Sequence, residues 1–90
     1  MTDEEMILSD AFTLMTSDDY KDRFKAEYLQ TKIRYERLHR IIIKHEAGTL
    51  DFELKSAIGI LQRQANYMGL YLHCLEVRAE IEGIDLTWQG

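Results

Sequence analysis

The chain has 90 residues, a net charge of −5, one cysteine and no proline. One domain of this size is marginal unless disulfides, metal or self-association add burial. Cys74 alone excludes an intrachain disulfide, the spacing of His39, His45, His73 and Cys74 excludes a zinc site, and no apolar run suits a membrane span, so oligomerisation is the option left.

Residues 1–16 are acidic with scattered apolar side chains, among them Met6, Leu8, Phe12 and Met15, and fit either a short helix or an arm that docks on a neighbour. The acidic start, Met1-Thr2-Asp3-Glu4-Glu5, predicts no signal peptide. Thr16-Ser17-Asp18-Asp19 reads as a helix start, with Ser17 or Asp18 placed to cap it. Phe24, Tyr28, Thr31, Tyr35, Leu38 and Ile42 then recur at alternating steps of four and three, the seam of a helix packed along another helix. Gly48 ends that helix, as a residue free to take positive φ. Residues 49–52 form the turn, and Thr49 or Asp51 is placed to cap the second helix. Its seam runs Leu54, Ile58, Leu61, Ala65, Met68, Leu72, Leu75 and Ala79. Gly59 and Gly69 lie inside this helix at a cost of about 1 kcal/mol each relative to alanine, and mark either close approach or simple tolerance. The helix is expected to end near Gly83.

The expected architecture is therefore all-α: an N-terminal arm or short helix at 1–16, a long antiparallel two-helix hairpin at 17–84, and a tail at 85–90. A hairpin buries one seam only. The second helix carries a further apolar row, Ile60, Tyr67, Tyr71, Cys74 and Ile81, and the first has Ile33, Ile41 and Ile43 off its seam. These residues call for partners, which points to a homo-oligomer of closed symmetry.

No catalytic arrangement is visible: Ser9, Ser17 and Ser56 sit in no nucleophile turn, and no glycine-rich phosphate loop exists. Cys74 reads as a packing residue, the histidines as solvated or packed, and Asp18-Asp19 as a cap. No enzyme, metal or cofactor is expected. Charge is divided, however. Residues 20–45 hold eight of the 11 basic residues (Lys21, Arg23, Lys25, Lys32, Arg34, Arg37, Arg40, Lys44) and three acids (Asp22, Glu27, Glu36), a segment of +5 that leaves −10 elsewhere. Bulk nucleic-acid binding does not suit an acidic whole. Arg23, Arg34, Arg37 and Lys44 form a stripe beside the seam, where they can pair with acids of another protomer or grip a phosphate. Tyr20 opens the same helix near free backbone N–H groups.

Asp19 to Glu27, continuing through Arg34-Tyr35-Glu36-Arg37-Leu38, resembles a family of small phage and prophage proteins that begin Tyr-x-x-Arg-[Val/Phe]-x-x-Glu. The family's second part, Gln-x-x-x-Met-x-x-Tyr-x-x-x-Leu-x-x-Arg, is matched by Gln64, Met68, Tyr71, Leu75 and Arg78. This is the helical-hairpin group of the anti-CBASS cyclic-oligonucleotide sponge and the Thoeris anti-defence sponge, with many crAss-like-phage-related members. The resemblance implies a homo-hexamer in the host cytoplasm that sequesters a cyclic di- or trinucleotide alarm signal between protomers, without catalysis. It places a base on Tyr20 and a phosphate on Arg34, where the sponge usually has lysine; the basic stripe adds Arg23 and Arg37 as further candidate ligand-binding residues. An alternative from the acidic exterior is an inhibitor or adaptor of the anti-CRISPR kind that binds a basic host defence protein.

Overall fold

The computed structural model describes residues 19–87, which form helices α1 (Tyr20–Ala47) and α2 (Ile58–Glu82) and no strand. The arm at 1–16, Ser17, Asp18 and Trp88 lie outside the described residues. Asp19 caps α1, its carboxylate accepting the Lys21 N–H at 2.8 Å. Asp22 in the first turn and Lys44 and His45 in the last complement the helix dipole. At the far end Gly48 takes φ 76°, and the N–H groups of Gly48 and Thr49 return to the carbonyls of His45 and Lys44. This is the glycine-terminated ending that the sequence led us to expect.

The second helix starts later than the expected caps imply. Thr49 serves the end of α1: its N–H donates to the Lys44 carbonyl at 2.9 Å, and its hydroxyl lies 3.5 Å from the same oxygen. Residues 49–57 form an irregular connection that bends at Phe52 and at Lys55-Ser56 and includes Leu54, and Ala57 stands at the N-cap of α2 without a side-chain bond. Gly83, with φ 69°, ends α2 as expected. Ile84 then donates its N–H to Ala79 at 2.8 Å and turns back into the core, with Leu86 packed against it.

The two helices pack as an antiparallel hairpin: Tyr20 meets Arg78, Tyr28 meets Glu76, and Glu46 meets Gln62. Every seam residue expected on α1 is buried or half-buried, as are Leu54 and the seam of α2. Burial is nonetheless confined to one end. The core consists of Phe24, Ala26, Tyr28, Leu29 and Ile33 of α1, with Leu72, Leu75 and Ala79 of α2 and Ile84. From Arg34 to Tyr71 no side chain is buried. The distal half is a two-helix finger without a core of its own. Ile33, which its position off the seam marks for an external partner, is already only 4 % exposed within the chain.

The surplus apolar row on α2 is exposed, as its spacing requires. Tyr67, Leu70, Cys74, Val77 and Ile81 recur at steps of three and four, and Ile60 precedes Tyr67 by seven. Leu70 is 65 % exposed and Ile81 78 %. Cys74, expected to pack, is exposed in the single chain. The structure thus adds Leu70 and Val77 to the row and sets Tyr71 at its margin, where its hydroxyl donates to Glu27 across the helices at 3.3 Å.

Neither interior glycine is needed for close approach of α1 and α2. A Cβ at Gly59 meets nothing within 4 Å, and one at Gly69 sits 3.7 Å from the Tyr35 hydroxyl, an ordinary contact. Gly59→Ala and Gly69→Ala are each expected to stabilise the hairpin by up to about 1 kcal/mol, read as a higher urea midpoint with unchanged slope.

Candidate functional site

Tyr20, Arg23, Arg34 and Arg37 all lie on α1 and are exposed. At 100° per residue they fall within an arc of about 100°, beside the seam. They do not converge. Arg23 is one turn from Tyr20, but Arg34 lies about 21 Å and Arg37 about 25 Å along the helix axis. One chain therefore presents an aromatic end and a distant basic patch on a single stripe. Arg34 makes no ion pair with any described residue.

Three clefts of the hairpin lie elsewhere. One of about 550 Å³ opens where the returning tail meets α1, lined by Tyr28, Leu29, Lys32, Ile33, Glu36, Leu86 and Thr87. Others of about 270 and 420 Å³ follow the helix pair on either side of Tyr35. None contains Tyr20 or the three arginines.

Tyr20 is fixed by its surroundings. Its ring stands edge-on to Phe24, with centroids 6.1 Å apart and planes at 61°. Its hydroxyl accepts a 2.6 Å hydrogen bond from Nη2 of Arg78 on α2. That guanidinium lies over the Phe24 ring at 4.9 Å and donates from Nε to Glu82 at 3.3 Å. The result is a half-exposed aromatic face at the start of a helix, held from below by a cation.

Residues 18–81 match the Sequestin family. The chain belongs to that family. The match covers α1, the connection and nearly all of α2, and agrees with the resemblance seen from Tyr20 to Arg78. The chain matches no curated protein and no solved structure. Membership implies that this Sequestin hairpin sequesters a molecule, a binding role in place of catalysis. Among the described residues no helix is long and apolar enough to cross a membrane.

Two polar contacts of this Sequestin chain escape sequence reasoning because they depend on the register between helices. Arg78 on Tyr20 is one. The other is Tyr28, whose part-buried hydroxyl donates to Glu76 at 2.7 Å while Lys32 lies over its ring at 5.7 Å. In the sequence Arg78 stands out only as the last residue of the family motif and by its i, i+4 spacing to Glu82, and neither points to Tyr20 as its partner.

The Tyr28 bond makes alkaline stability measurable. Burial, then the hydrogen bond and charge of Glu76, push the Tyr28 phenol up to about 12. Partial burial and the Glu27 carboxylate push Tyr71 up as well. A folded value above the unfolded one means that the folded state holds its proton longer. This contribution is fully present below pH ~10 and is lost as pH rises through ~12. We expect the hairpin to lose up to about 2 kcal/mol across that window, less than the full shift implies because Glu76 is exposed and solvent screens the pair. Urea unfolding against pH checks it: Tyr28→Phe should flatten most of the alkaline slope and leave a smaller remainder from Tyr71.

Proposed function

We propose that this Sequestin protein is a phage-type immune-evasion protein that captures a cyclic di- or trinucleotide second messenger of bacterial anti-phage defence, of the CBASS or Thoeris kind. It does so stoichiometrically, in the host cytoplasm, at sites built between copies of itself in a homo-oligomer, a hexamer by family resemblance. The observation that carries this reading is the separation of Tyr20 from Arg34. A base stacked on Tyr20 and a phosphate held by Arg34 of the same chain would be about 21 Å apart, beyond the reach of one cyclic dinucleotide. Two chains with their first helices antiparallel bring Tyr20 of one beside Arg34 of the other and form two equivalent sites.

Self-association is supported independently by the distal finger, which has no buried residue, and by the exposed row from Tyr67 to Ile81. Row and stripe occupy different helices, so one contact can hold the copies together while another receives the ligand. Capture of a signal needs affinity and copy number, and turnover plays no part. Ligand bound only by the assembled form also stabilises the assembly by mass action.

Calorimetric titration with a panel of cyclic di- and trinucleotides, alongside native mass measurement, tests the reading. The expected result is saturable binding by an assembled species. An intact assembly that binds no member of a broad panel would overturn it.

A further inference from the structure

We infer that Arg78 is a positioning residue for Tyr20: the last turns of α2 orient the aromatic face that α1 presents. The inference rests on the reading of Tyr20 as a base-stacking residue and adds to it the element that sets the ring. Tyr20 is the first residue of α1, a position where a side chain has no preceding helical turn to pack against. Its ring is 45 % exposed, and its first turn is otherwise free to fray. Two contacts restrain it within the described residues. One is the edge of Phe24, and the other is the Arg78 guanidinium at 2.6 Å.

Arg78 is itself held on three sides. Its Nε is engaged by Glu82, its Nη2 by the Tyr20 oxygen, and its plane lies over Phe24, which is buried in the core. A planar guanidinium can make these contacts together, because its donors are fixed in one plane and its face stacks on an aromatic ring. Lysine offers one point charge and cannot both stack and bridge in this way. The arrangement ties the ring of an exposed residue, through Arg78 and Phe24, to the rigid end of the hairpin. Stacking on a ring already held in place loses less conformational freedom on binding than stacking on a mobile one.

Positioning differs from direct ligand contact in two measurable ways. In the ligand-free protein, Arg78→Ala should shift and broaden the Tyr20 ring resonances, assigned by their loss in Tyr20→Ala. In titrations with cyclic di-adenylate and cyclic tri-adenylate, Arg78→Ala should weaken binding about three- to tenfold, and Arg78→Lys should not restore it. The effect should vanish in a Tyr20→Phe background, which already lacks the phenol oxygen that Arg78 engages.

Unchanged Tyr20 ring signals in Arg78→Ala overturn the inference, whether or not either nucleotide binds. Additive losses for Arg78→Ala and Tyr20→Phe also overturn it, by making Arg78 a ligand contact. Binding that is indifferent to Tyr20→Ala instead refutes the stacking role, and leaves the ring resonances as the separate measure of the Arg78 contact. Helix content by circular dichroism, equal across the variants, confirms that the comparison is between folded chains.

Discussion

A Leu70→Glu variant is expected to fall from the assembled mass to that of a single chain and to lose cyclic-nucleotide capture with it. Leu70 sits in the middle of the exposed row on α2, 65 % exposed, and lies in the part of the hairpin that has no buried residue. A carboxylate there costs a single chain little, because the position already faces water. In an apolar contact with another copy the same carboxylate would be desolvated without a partner, a loss of several kcal/mol repeated at every contact. Capture should fall about 100-fold or more, because losing the second chain removes charge-assisted phosphate bonds worth about 1.5–3 kcal/mol each. Sedimentation gives the mass and titration gives the affinity. Retention of the wild-type assembly would rule out this row as the contact. Single chains with unchanged affinity would refute a site built between copies. Leu70 is a cleaner probe than Tyr71, since Tyr71→Glu would bring a second carboxylate against Glu27 within one chain and disturb the hairpin itself.

The same variant reports on the distal finger. Its half-buried seam gives each helix too little burial to offset the ordering of two long segments. Single Leu70→Glu chains should therefore lose helix content from the Gly48 end first. Amide exchange should be fastest between residues 34 and 71 and slowest around Phe24, Tyr28, Leu72 and Leu75, where the core lies.

Much of this fold is legible in the sequence because the seam is a spacing, and spacing survives without coordinates. Phe24 through Ile42 and Ile58 through Ala79 all face their partner helix, and Gly48 and Gly83 end the helices where positive φ is needed. The uneven burial is illegible for the same reason. The repeat is uniform along both helices and says nothing about which end is filled. Filling comes from the size of Phe24 and Tyr28 and from the return of Ile84 after Gly83, a reversal that the tail's composition does not announce. Thr49 has both a C-terminal and an N-terminal helix role open to it, and the structure gives it the first. The register between α1 and α2 depends on that choice, so the pairs Tyr20–Arg78 and Tyr28–Glu76 stay hidden until the connection is known. The basic stripe is different. Its residues are correctly placed on one face, and only the rise per residue shows that they cannot meet within one chain.

Tyr20→Ala is expected to weaken capture while leaving the assembly whole. The ring lies at the start of α1, away from the exposed row on α2, and contributes to the fold only through its edge on Phe24 and its bond to Arg78. Its loss leaves Arg78 still held by Glu82 and Phe24, so no charge is stranded. Stacking of one base on an aromatic side chain is worth about 1–3 kcal/mol, so affinity should fall between about 5- and 150-fold for each base engaged. Tyr20→Phe keeps the stacking face and should lose only the smaller part that depends on Arg78. The pair separates surface from orientation: equal loss in both variants would make the phenol oxygen, rather than the ring, the group that meets the ligand. Native mass measured on the same samples decides the remaining point. If Tyr20→Ala also falls to single chains, the aromatic end is part of the contact between copies, and Leu70 and Tyr20 then report on one interface instead of on an interface and a site.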